Sequence, residues 1–345
     1  MSPPEDSLTP LSDAEWLPAH WDRSGKVRFV RLAREQHGQV TFLSDEYLGP
    51  LNLPASSAVL SDLHPPAGGP ASQYIFHSAF AASTLLARAL DVPGISMGLK
   101  EPEILNELAE GMRARALSEE ALRTVVQLLA RPFASGEKVV IKPSNVVNVL
   151  APSLLELDPR SNAIFLFAPL PRFLRSIADK GLWGRRWVRR LHALVARDTG
   201  LDFGLSAAER FELTDLQVAA LAWLMQHKQG GELVARFHGR VRTLDSGTFL
   251  AERPGTIAAV ANHFGLAIDE ARAGEIAAGP AFATHSKEIG RAFDPEAALQ
   301  PKTPLPIIDE GIAMVAQWTH SVADHAGIAL AALNSARRYH VEGNG

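Results

Sequence analysis

No cysteine occurs anywhere in the 345 residues. That excludes disulfides, thiolate metal sites and cysteine nucleophiles, and it fits a reducing cytoplasm, the expected location. No apolar run approaches the roughly 20 residues that a membrane helix needs, so no membrane association is expected. Positive charge is not in excess either: the formal net charge is −4, which argues against a general nucleic-acid or membrane-surface binder. The opening stretch, "MSPPEDSLTPLSDAEW", lacks the basic start and apolar core of a signal peptide, and none is expected. The histidines form no HExxH or similar cluster, so no metal site is expected. There is no internal repeat and no low-complexity tract. What remains is a chain of 46% hydrophobic and 21% charged residues, ordinary for a folded domain that buries a sizeable core.

Residues 1–72 read as a mobile tail of ~20 residues, a short β extension and a linker. The pair "KVRFVRLAR" (Lys26–Arg34) and "GQVTFLS" (Gly38–Ser44) predicts a hairpin or strand pair. A Pro-, Gly- and Ser-rich connector then runs to about Gln73. Residues 73–300 change rhythm. Strand candidates are "YIFHSA" (Tyr74–Ala79), Gly94–Lys100, Lys138–Ser144, Ala163–Pro169 and Arg240–Ser246, with helical patterns between them. Continuous apolar strands alternating with amphipathic helices predict an α/β domain with a mostly parallel sheet covered on both faces. Leu213–His227 and Pro254–Phe264 are helix candidates. Residues 301–345 are expected to carry a C-terminal helix, about Ile308 to Ala336, packed on that domain.

The stretch "YIFHSAFAASTLLARAL" (Tyr74–Leu90) has the strand–loop–helix frame of a phosphate-binding loop without its glycines or lysine. His77 and Ala82 occupy the glycine positions, Ser83 the lysine position and Thr84 the hydroxyl position. Two readings are open: an anion cradle built from Phe80, Ala81, Ala82, Ser83 and Thr84, or a plain turn capped by Ser83 or Thr84.

This stretch resembles the 5′-phosphosulfate loop of the sulfotransferases that use 3′-phosphoadenosine 5′-phosphosulfate and no metal. Three further stretches agree in order. "KVVIKPSNVVNVLAP" is similar to the family's lysine-ended strand and helix. "NAIFLFAPLPRFLRSIADKG" is similar to its next strand and helix, where Ser176 falls at the 3′-phosphate-binding serine. "RVRTLDSGTFLAERPGTIAAVANHFGLAID" resembles its late strand and proline-started helix. The likeness covers about Gln73 to Asp294. It implies a P-loop-type fold, 3′-phosphoadenosine 5′-phosphosulfate as cosubstrate, and a small-molecule or carbohydrate acceptor. Three positions depart from the family. Phe80 replaces the loop lysine, Ser144 the base histidine, and Ala168 the arginine eight positions before the serine. A noncatalytic nucleotide- or anion-binding protein and a P-loop phosphotransferase therefore stay open.

Candidates for the replaced chemistry lie at strand ends, where an open parallel sheet lines its ligand crevice. Lys100 and Glu101 form a cation–carboxylate pair there, or else mark the start of a helix. Lys142 is out of place in a buried strand unless it reaches an anion or a carboxylate, and it is expected to face the same crevice as the loop. Asn145 and Asn148 are ligands or helix caps. His77 is a core histidine or an alternative base. Arg172 and Ser176 follow a strand directly and suit a nucleotide phosphate. From Arg172 to Arg197 eight basic residues face one acid, Asp179, interleaved with Trp183 and Trp187. This block reads as a nucleotide site or as a solvated helix face. "THSKEIGRAFD" (Thr284–Asp294) resembles the family's segment that closes over the 3′-phosphate, with Ser286 and Lys287 as donors.

Overall fold

The computed structural model describes residues 11, 13–22, 24–65, 69–283 and 306–330. Chain order begins with β1 (Trp16–Trp21), β2 (Lys26–Arg31), α1 (Arg34–Gln39), α2 (Asp45–Leu48), β3 (Ala55–Val59) and β4 (Gln73–His77). Next come α3 (Ser83–Ala89), β5 (Ser96–Lys100), α4 (Glu103–Arg113), α5 (Glu119–Leu129), β6 (Lys138–Lys142) and α6 (Ala151–Leu157). They are followed by β7 (Ala163–Phe167), α7 (Leu170–Asp179), α8 (Gly181–Thr199), α9 (Ala207–Glu212), α10 (Asp215–Arg236) and β8 (Val241–Asp245). The last described elements are α11 (Ser246–Ala251), α12 (Arg253–Phe264), α13 (Glu270–Ala278), α14 (Pro280–Ala283) and α15 (Pro306–His325).

The chain is α/β. Its central sheet has five strands in the order β5-β6-β4-β7-β8, with β4 and β5 each parallel to β6. Every residue of β4, β5 and β7 is buried, as expected of parallel strands covered on both faces, which read as continuous apolar runs. A separate sheet, β1-β2-β3, is antiparallel. No helix among the described residues is long and apolar enough to cross a membrane.

The chain divides into two compact units. One comprises residues 1–76, 83–163 and 257–294, and the other residues 77–82, 164–256 and 295–345. In the first, α3 packs on β5 and β6, while α4 and α5 pack on β1. Gly98 sets the α3–β5 spacing: a Cβ there would lie 2.5 Å from the Ala87 carbonyl oxygen, a clash of side chain with backbone. His20 ties the extension down, with Nδ1 2.7 Å from Glu107 Oε1 and Nε2 2.8 Å from Asp45 Oδ1. Its hydrogen bond to Glu107 raises its pKa, against the opposing effect of burial. His20, Asp45 and Glu103 cluster with the donor types of a metal site. Both imidazole nitrogens are committed to carboxylates, however, and Arg28 pairs with Asp45 at 2.6 Å, so the cluster is already neutralised. In the second unit α10 packs against α7, α8, α15 and β8. Gly230 lies against the Phe165 ring, which a Cβ would approach to 2.6 Å.

Three expectations about the first 72 residues are corrected. The tail contains β1, whose Leu17, Ala19 and Trp21 are buried; Pro18 sits at a register shift, where a strand tolerates proline. The segment expected as the second hairpin strand, Gly38–Ser44, is not a strand. Gly38 and Gln39 close α1, and Leu43 docks on the end of β5, donating to nothing in β2 but to the Lys100 carbonyl at 2.8 Å. The connector contains β3, an edge strand whose residues alternate between exposed and half-buried. Two helix boundaries also move: α10 extends to Arg236, and α15 ends at His325, two residues before the left-handed Gly327.

Two buried histidines give the fold an acid limit. Burial pushes His37 and His227 down to about 3, with Lys100 and Arg34 adding to the effect at His37. Both are therefore neutral when folded, whereas in the unfolded chain each takes up a proton near 6.5. Between those values the unfolded state binds more protons, so stability falls as pH falls, by about 1.4 kcal/mol per pH unit per histidine. His20, raised, acts oppositely and loses its contribution above 6.5. The urea midpoint is expected to drop clearly from pH 6.5 to pH 5. His37→Phe should remove a substantial part of that drop, the rest belonging to His227 and to His192, which burial also lowers. An unchanged drop would mean that His37 is not buried neutral.

Candidate active site

In the first unit, parallel pairing sets the C-terminal residues of β5 and β6 side by side: Lys100 is the register partner of Lys142. Both side chains are about 1% exposed, so each ammonium needs partners. Lys142 forms an ion pair with Glu101 and lies over the Phe42 ring, 5.5 Å from its centroid. Glu101 has a left-handed backbone, φ 50°, an uncommon and costly state for a non-glycine residue outside functional sites. Its N–H donates to the Lys142 carbonyl at 2.7 Å, which locks that turn. Pro102, next in the chain, starts α4. The carboxylate thus leaves the strand end at an angle fixed by backbone strain.

Lys100 is placed otherwise. Its ammonium donates to the carbonyls of His37, at 2.8 Å, and Gly38, at 3.3 Å. It satisfies the carbonyl end of α1, where a cation is favoured. Burial pushes its pKa down to about 8, with Asp91 opposing the shift.

The loop after β4 has two left-handed non-glycine residues, Phe80 at φ 59° and Ala82 at φ 60°, on either side of Ala81. Alternating signs of φ turn successive N–H groups to one side of the chain, forming a concavity that suits an anion. Each such residue costs of order 1–3 kcal/mol, more than a plain connection would need. Thr84 follows, 1% exposed, and its Oγ1 has no hydrogen-bond partner among the described residues. That hydroxyl caps nothing. Within the second unit, Ser78 holds the loop to β7. Its N–H donates to the Leu166 carbonyl at 3.0 Å, and its Oγ accepts from the Ala168 N–H at 3.2 Å. Phe80 packs on Phe173 and on Trp187, with centroids 6.0 and 5.2 Å away. The Phe80 ring is thus held in an aromatic cluster.

No family model matches this chain, and no curated protein matches it. Solved structures do. The sulfotransferase domain from the curacin biosynthetic pathway is 14% identical, with TM-score 0.41 over 72% of this chain and 98% of that one. The sulfotransferase domain from the Synechococcus PCC 7002 olefin synthase is 12% identical, with TM-score 0.40 over 73% and 97%. The sulfotransferase from Alicyclobacillus acidocaldarius is 14% identical, with TM-score 0.42 over 78% and 99%.

The remaining candidates are placed as follows. His77 ends β4 and is buried. Ser144 occupies the N-cap position of a short 3-10 helix, Asn145–Leu150, without a side-chain capping bond, and Asn145 and Asn148 of that helix are buried. Ala168 is a backbone node whose carbonyl accepts from Trp223 Nε1 at 2.8 Å. Arg172 is half-buried, and burial lowers its pKa while Asp245 opposes that. Ser176 Oγ donates to the Arg172 carbonyl at 2.9 Å, a bond within its own helix. Ser286 and Lys287 lie outside the described residues. Sequence reasoning did not find Phe42 over Lys142, the carbonyls around Lys100, or the left-handed states of Phe80, Ala82 and Glu101. No local pattern signals them, because alanine, phenylalanine and glutamate are not the residues that favour that conformation.

Proposed function

We infer that this protein is a sulfotransferase that moves a sulfuryl group from 3′-phosphoadenosine 5′-phosphosulfate to an acceptor hydroxyl or amine, in the cytoplasm and without a metal. The observation that carries the reading is the β4–α3 loop. Left-handed Phe80 and Ala82 give it a backbone of the kind that can cup an anion, and a buried Thr84 hydroxyl with no hydrogen-bond partner among the described residues follows. Ser83 stands where a magnesium–triphosphate loop carries its lysine, which disfavours such an enzyme; sulfotransferases do without a lysine at that position, although their own loop lysine is Phe80 here. The backbone of Phe80 to Ala82, with Ser83 and Thr84, would hold the donor, and Arg172 its 3′-phosphate, joined by Ser176 once its hydroxyl turns from the Arg172 carbonyl.

In the transfer, the acceptor oxygen bonds to sulfur as the sulfur–oxygen bond to the 5′-phosphate breaks. Adenosine 3′,5′-bisphosphate departs and the acceptor proton goes to a base. Glu101 is assigned as that base, and Lys142 as the cation that balances developing negative charge. Lys100 is assigned a positioning role, because its ammonium is spent on the α1 carbonyls.

Calorimetry tests the assignment. Adenosine 3′,5′-bisphosphate should bind, and ATP with magnesium should not. The reverse result would support a phosphotransferase. Binding of the bisphosphate with no transfer to any acceptor would support a noncatalytic anion-binding protein, a reading favoured by Phe80 in place of a cation. Thr84→Ala is expected to weaken bisphosphate binding by about 1 kcal/mol or more. Unchanged affinity in a folded variant would rule out direct contact.

A further inference from the structure

The face of α8 that runs on from Phe80 has no role in the chemistry above. Trp183, Arg186, Trp187 and Arg190 fall at i, i+3, i+4 and i+7, one face of a helix. Trp183 and Trp187 stack nearly parallel, 11° between planes and 6.0 Å between centroids. Trp187 meets Phe80 edge-on at 5.2 Å. Lys180 bridges the row, its ammonium 5.6 Å from the Phe80 ring and 5.3 Å from the Trp183 ring. Trp183 is nevertheless 58% exposed, in a chain whose large aromatic side chains are mostly buried. The charges divide by face. Arg185 and Arg189 are drawn onto Asp215, at 3.8 and 2.8 Å. Arg186 and Arg190 are exposed and have no carboxylate partner among the described residues.

We propose that the face formed by Phe80, Lys180, Trp183, Arg186, Trp187 and Arg190 is an acceptor-binding surface for an acidic oligosaccharide. The acceptor part of this assignment rests on the sulfotransfer reading. Indoles and guanidinium groups alternate along two helical turns from Trp183 to Arg190, about 10 Å of axis. A ligand that fits has flat apolar ring faces with negative groups at their rims, repeated along a chain. Sugar rings lie on an exposed indole by their C–H faces, and carboxylates or sulfates pair with arginine in a bidentate way. A single aromatic acid would cover one indole and leave the arginines bare. Single-stranded RNA also offers stacking faces and negative charge. The sequence pI of about 6.3 lacks the basic footprint of an RNA-binding domain. A saccharide also brings free hydroxyls, the groups a sulfuryl transferase modifies, and the row ends on Phe80 of the anion loop.

Calorimetry on the full chain would use a short oligogalacturonate, a neutral maltooligosaccharide of equal length and an oligouridylate. Adenosine 3′,5′-bisphosphate would be titrated in parallel. The oligogalacturonate is expected to bind about tenfold or more tightly than the neutral chain. Trp183→Ala and the double variant Arg186→Ala/Arg190→Ala should each weaken it about fivefold or more with bisphosphate affinity unchanged. All three side chains are exposed, so circular dichroism should show an intact fold. Equal binding of the neutral chain, tighter binding of the oligouridylate, or variants that bind as the parent does would overturn the surface. Saccharide binding without bisphosphate binding would uphold the surface and remove the transfer reading. Bisphosphate binding without saccharide binding would do the opposite.

Discussion

Glu101→Gln is expected to lower sulfuryl-transfer turnover about 100-fold or more while leaving bisphosphate affinity nearly unchanged, since a positioned general base contributes at least that much. Glutamine keeps the shape and still offers an oxygen to the Lys142 ammonium, but it cannot take a proton. Ser144, where the resemblance would place a base histidine, stands at the N-cap position of a 3-10 helix without a side-chain capping bond, and an unaided serine hydroxyl is too weak a base to take that role. Glu101 has what Ser144 lacks: a carboxylate, 22% of its side chain open to solvent, held at a strand end in a left-handed backbone state. Strain of this kind persists where surrounding contacts over-determine it, and the Glu101 N–H bond to the Lys142 carbonyl together with the Lys142 ion pair does so here. Turnover would be read as bisphosphate release in the presence of an accepted hydroxyl compound. Normal turnover in the variant would transfer the role to His77 or show that the acceptor needs no base.

The central sheet was legible in the sequence because burial on both faces writes each strand as an apolar run, as in "YIFH" and "AIFLF". The outer sheet was not. β3 is built from small residues, Ala55 to Val59, alternately exposed at an edge, so no apolar alternation marks it. In β1 the signal is broken by Pro18 at the bulge. Missing α1 had a consequence for the site. Lys100 sits at a strand end and reads locally as an anion ligand, but its ammonium turns to carbonyls of a helix end that the pattern "AREQHGQV" did not reveal. The Glu101–Lys142 partnership depends on the β5–β6 register, which pairs residues 42 positions apart in the chain. Position alone pointed to both residues. Their pairing with each other came from tertiary structure.

Lys142→Met should destabilise the fold by about 3 kcal/mol, the low end of the cost of breaking a buried ion pair. Methionine fills similar volume and keeps contact with Phe42, so lost packing is a minor part. The larger part is the stranded Glu101 carboxylate. Its partial exposure lets water reach it, which keeps the loss from rising further. The double variant Lys142→Met/Glu101→Gln strands no charge, so it is expected to be more stable than Lys142→Met alone, with a coupling of roughly 1–2 kcal/mol for residues in direct contact. Urea midpoints of the parent, both single variants and the double variant measure that coupling. Binding separates the electrostatic role from the structural one. If Lys142 also balances charge on the donor, Lys142→Met should weaken bisphosphate binding whether or not Glu101 is present, because the lost interaction is with the ligand. If its whole function is to hold Glu101, the double variant should bind as Glu101→Gln does. Additive stabilities would mean that the two side chains do not depend on each other, and Glu101 would then have no partner to hold it in place for proton transfer.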